Sequence, residues 1–90
     1  MKILVKYYLP QNVFGEDYKT LPDSKIVESC FRYKKYDDKS IITALENSYA
    51  YYNMIIDPNE DISVFIHKAF NAIKNNDLTF IKEHLLCDPE

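Results

Sequence analysis

The run from Asp38 to Ile56, DKSIITALENSYAYYNMII, constrains this chain more than any other stretch. At 100° per residue its apolar side chains gather on one side. Ile41, Leu45, Tyr52 and Ile56 form the middle of that side, with Ile42, Ala44, Tyr49 and Ile55 at its edges. Asp38 or Ser40 can cap the first free backbone N–H groups, and Asp57-Pro58 stops the pattern. The opposite side, Thr43, Glu46, Asn47, Ala50, Asn53 and Met54, carries a single charge. A helix with so poorly charged an outer face is expected to be covered on more than one side. The spacing therefore predicts a central helix over 39–56.

The segment 60–75 predicts a second amphipathic helix. Ile62, Phe65, Ile66, Ala69, Phe70 and Ile73 lie on one face, and His67, Lys68, Asn71, Lys74 and Asn75 opposite. Glu60 and Asp61 suit its positive N-terminal end and Lys74 the other. Leu45, Tyr52, Ile56, Ile66, Phe70 and Ile73 are the expected core. A short final helix follows Asp77. Residues 2–9, KILVKYYL, are β-branched and aromatic enough for a strand ended by Pro10. Residues 10–22, with two prolines and Gly15, read as the longest loop. In 23–36, the apolar pairs Ile26-Val27 and Cys30-Phe31 break strand alternation and favour a helix capped by Asp23. The expectation is a mainly α fold: one domain over 1–90, a bundle of three to four helices with a short extended N-terminal segment. The alternative is α+β, with N-terminal strands packed on helices.

Ninety residues leave room for one modest core, and eight of the apolar residues are tyrosines with polar tips. The net charge of −3 is mild but uneven. Residues 1–45 hold eight Lys/Arg against six Asp/Glu, and residues 46–90 hold three against eight, giving +2 and −5. Such a bipolar chain favours head-to-tail association, including a homodimer. The N-terminal apolar run is too short for a signal peptide, no run reaches membrane-span length, and Cys30 and Cys87 are not closely spaced. These features lead to the expectation of a cytoplasmic chain with free thiols and no membrane association. Asp57-Pro58 and Asp88-Pro89, 31 residues apart, look faintly like the joints of ankyrin-type helix pairs. The chain lacks that repeat's glycines and its Thr-Pro-Leu-His turn, and two helices stopped by the same breaker explain the spacing better.

Little in the sequence points to catalysis. Cys30 lies on an apolar face, no glycine-rich elbow surrounds a serine, and Asp37-Asp38 and Glu60-Asp61 stand where helix caps belong. His84 and Cys87 are one turn apart, but a zinc site calls for a second such pair. We expect no enzyme, no metal and no cofactor. The aromatic surplus is the main functional signal: Phe14, Tyr18, Tyr51, Phe80 and His84 are candidates for a protein-binding surface of a small inhibitor or adaptor. The alternative is nucleic-acid binding by Arg32, Tyr33, Lys34, Lys35 and Tyr36, where rings interleave with cations, joined by Lys6-Tyr7-Tyr8.

Overall fold

The computed structural model describes residues 1–84 and 86–87, with side chains through residue 83. The fold is α+β, so the expectation of a mainly helical bundle is overturned and its α+β alternative holds. Strand β1 (Lys2–Tyr7) lies inside a sheet, flanked by β2 (Phe31–Tyr36) at one edge and by β3 (Tyr52–Ile56) on its other side. The two-residue β4 (Leu86–Cys87) extends the sheet beyond β3. All neighbours are antiparallel, so β2 and β3 run parallel to each other with β1 between them. Helices α1 (Pro10–Phe14) and α2 (Asp23–Cys30) lie between β1 and β2, and α3 (Ser40–Glu46) between β2 and β3. Helices α4 (Ile62–Lys74) and α5 (Leu78–His84) follow β3.

The central helix over 39–56 is the main correction. Helix ends at Glu46, and residues 52–56 form β3. The helical period of that run is real for Ile41 and Leu45, but YYNMII has a second period, of two. Tyr52, Met54 and Ile56 join the main core on one face of the sheet. Asn53, on the other face, is also buried, at 3% exposure. Of the supposed outer face, Ala50, Asn53 and Met54 are buried around and in the strand, while Thr43, Glu46 and Asn47 are exposed. The same conflict recurs at 23–36, where the helix stops at Cys30 and FRYKKY continues as strand. The β-branched and aromatic content of both runs outweighed helical spacing once a central strand was there to pair with. The expected loop at 10–22 holds α1 and a 3₁₀ turn over Gly15–Thr20. Gly15 makes the joint between them at φ 76°.

The strand at 2–9 and the helix at 60–75 are present, as Lys2–Tyr7 and Ile62–Lys74. Asp61 caps α4 by accepting from Val64 N–H at 3.2 Å. The other expected caps move by a residue. Asp37, and neither Asp38 nor Ser40, accepts from Ser40 N–H at 2.6 Å, which holds its carboxyl below the usual range. Asp23 lies inside α2, with its carboxylate 2.9 Å from Lys74 Nζ. Asp57-Pro58 ends a strand, which removes the helix-pair likeness.

The main core lies between one sheet face and the helices. Ile3, Val5, Tyr7, Phe31, Met54 and Ile56 meet Ile26 and Cys30 of α2 and Phe65, Ile66 and Ala69 of α4. Across the strands Tyr7 faces Phe31 and Tyr52, with ring centroids 4.9 and 6.0 Å away. Of the residues expected in the core, Ile56 and Ile66 are buried, while Leu45, Tyr52, Phe70 and Ile73 are half-buried. Leu4 points to the opposite face and is still only 1% exposed. Helix α3 packs on β1 there, with Ile41 buried outside the main cluster. The crossover from β2 to β3 thus covers the second sheet face over Leu4 of β1 and leaves its β2 edge open, where Arg32 and Lys34 are exposed.

Candidate nucleic-acid interface

Alternation along paired strands sorts the cations by sheet face. In the β1–β2 register Lys2 faces Tyr36, Leu4 faces Lys34, and Lys6 faces Arg32. These residues share the second face, because their neighbours Ile3, Val5 and Tyr7 face the main core. Tyr8 continues the row past the end of β1, where its N–H donates to the Cys30 carbonyl at 2.8 Å. The Arg32 guanidinium lies 5.3 Å from the Tyr8 ring centroid, and Lys34 Nζ lies 5.5 Å from that of Tyr36. Leu4, Lys6, Tyr8, Arg32, Tyr33, Lys34 and Tyr36 line a shallow groove of about 210 Å³.

The register of β2 thus divides the five residues suggested by sequence. Arg32, Lys34 and Tyr36 belong to the groove face, joined by Lys6 and Tyr8 as anticipated and by Lys2, which was not. Tyr33 and Lys35 belong to the other face, opposite Val5 and Ile3. Tyr33 is nevertheless 57% exposed, lining a shallow pocket with Val27 of α2 and Ile62 of α4. Tyr7 leaves the set: it is buried, and burial pushes its phenol up to about 12. Lys2 is legible in the KxLxK alternation of the strand expected at residues 2–9.

Like charges directly opposite each other in a sheet are destabilising, and Lys6 with Arg32 is such a pair. Among the described residues no carboxylate forms an ion pair with Lys6, Arg32 or Lys34. The acidic pair that follows β2 is engaged elsewhere. Asp37 caps α3, and Asp38 lies 3.4 Å from the N-terminal amine. Cations on an edge strand also guard it against pairing with other chains. That explanation suits Arg32, Lys34 and Lys35 on β2, but it does not reach Lys6, which lies on an interior strand.

The aromatic candidates for a protein surface are dispersed. Phe14 and Phe80 are half-buried against the main core, and Phe80 lies 6.2 Å from the Phe65 ring. Tyr18 is half-buried. Tyr51 is 47% exposed and meets Tyr52 edge-on at 4.7 Å. His84 closes α5, but its side chain and that of Cys87 lie outside the described residues. Among the described residues no three His, Cys, Asp or Glu gather as metal ligands, and no helix is long and apolar enough to cross a membrane. The Cys30 thiol is fully buried and its pKa is raised by desolvation, so it packs as a small apolar side chain. Comparison with family models, with curated protein sequences and with solved structures gives no match.

Proposed function

We propose that the protein binds nucleic acid through the groove that runs along β2 beside Lys6 and Tyr8. The observation that carries this reading is the Lys6–Arg32 pair, two like charges set face to face on the sheet with Lys34 beside them and no ion-paired carboxylate among the described residues. A polyanion laid along the groove turns that repulsion into attraction. The rings of Tyr8 and Tyr36 under the cations favour an anion that also carries flat bases. Protein binding through the aromatic surplus has less support, because Phe14 and Phe80 are drawn into the core.

The test is fluorescence anisotropy of a labelled oligothymidylate titrated with protein across a salt series. Three phosphate contacts, from Lys6, Arg32 and Lys34, predict a log–log salt slope of about −2, at about −0.7 per contact on a single strand. No binding at low salt, or binding indifferent to salt, would sink the proposal.

A further inference from the structure

Resting on that reading, we infer that the groove is a short single-strand track, with a base-stacking ring at each end and the cations between. The strand ladder sets the order. Tyr8 lies level with Cys30, next come Lys6 and Arg32, then Leu4 and Lys34, and last Lys2 and Tyr36. Successive rows on one face are two residues apart, roughly 7 Å, so the two rings stand about 20 Å apart along the strands. That length accommodates about three or four nucleotides of an extended strand, near the lower end of what single-strand sites cover.

The chemistry of each row matches its place. Tyr8 and Tyr36 are half-buried, so each ring is held by the protein while part of it remains open. Each has a cation about 5 Å from its centroid, placed to move from the ring to a phosphate as a base takes its position. Leu4, between the charged rows, is only 1% exposed, so the middle of the track presents Lys34 and no group that would select one base over another. The track is therefore tolerant of sequence.

Its walls exclude duplex. Helix α3 packs on β1 on this same face, and a helix with its side chains stands about 10 Å tall. The crossover is tied down behind it, where Ser48 Oγ donates to Asn53 Oδ1 at 2.6 Å inside the protein. A double helix would meet α3 before its phosphates reached Lys6, and its bases, stacked on each other, would present no face to either tyrosine.

The experiment measures anisotropy at one low salt concentration for a length series of oligothymidylates, a blunt duplex and polyglutamate. Wild type is compared with Tyr8→Leu, Tyr36→Leu and the conservative Tyr8→Phe, with circular dichroism to establish that each variant is folded. Affinity should rise with length and level off per site at about four nucleotides. Each Tyr→Leu change should weaken binding roughly tenfold, Tyr8→Phe should retain it, and duplex should bind more weakly than a single strand. Affinity that is unmoved by folded Tyr→Leu variants, or equal for duplex or polyglutamate, would overturn the track while leaving a salt-dependent polyanion site intact. A wild-type protein that binds no oligonucleotide would instead overturn the reading on which the track rests.

Discussion

Lys6 and Arg32 stand directly opposite each other on the second face of the sheet, and neither is ion-paired with a carboxylate among the described residues. This arrangement separates stability from binding. Lys6→Glu places an acid opposite Arg32 and should raise stability by about 0.2–1 kcal/mol. It should also weaken oligonucleotide binding at least tenfold, since it removes one cation and adds an anion. Urea midpoints and anisotropy on the same preparation check both. A variant that is more stable and binds equally well would place the ligand elsewhere.

Met54 and Leu45 distinguish the observed fold from a continuous helix. A helix over 39–56 puts Leu45 at the centre of the buried side and Met54 outside. The structure leaves Met54 fully buried and Leu45 half-buried. Met54→Ala should cost roughly 2–5 kcal/mol, and Leu45→Ala clearly less. Denaturant unfolding of the two variants gives the order directly, and the reverse order would refute strand β3.

Ser48 and Asn53 hold the crossover to the sheet. The Ser48 hydroxyl donates to Asn53 and also accepts from Ala50 N–H at 3.2 Å, and both side chains are buried. Asn53→Ala leaves Ser48 without its acceptor and should cost about 1–3 kcal/mol. If α3 is the wall that excludes duplex, the same variant should narrow the preference for single strands, read as the ratio of the two affinities.

Tyr7 carries a pH dependence of known sign. Burial raises its phenol from 10 to about 12, so the folded state holds the proton over a range where the unfolded chain has lost it. Its contribution is complete below pH 10 and is lost as pH rises toward about 12, amounting to roughly 2 kcal/mol. Tyr7→Phe should unfold with a shallower loss of stability across that window than wild type, measured by urea midpoints at each pH. Parallel curves would mean that the phenol reaches water.

Sequence alone determined the parts of this protein that depend on neighbours in the chain. The helix at Ile62–Lys74 carries its own apolar stripe and its own Asp61 cap, and the strand at Lys2–Tyr7 is a β-branched and aromatic run closed by Pro10. The basic-aromatic run at 32–36 was equally visible, with Lys6 and Tyr8 as its neighbours. Tertiary structure decided the rest. FRYKKY and YNMII suit helix or strand when taken alone, and they become strands because β1 offers unpaired N–H and C=O groups on both its edges. Pairing then fixes which side chains share a face. In a helix Arg32 and Lys35 lie a turn apart on one side. In the sheet Arg32 and Lys34 join Lys6 and Tyr8, and Tyr33 and Lys35 turn away. A side-chain period of two belongs to a residue, but its register belongs to the partner strand, and that partner is some thirty residues away in the chain.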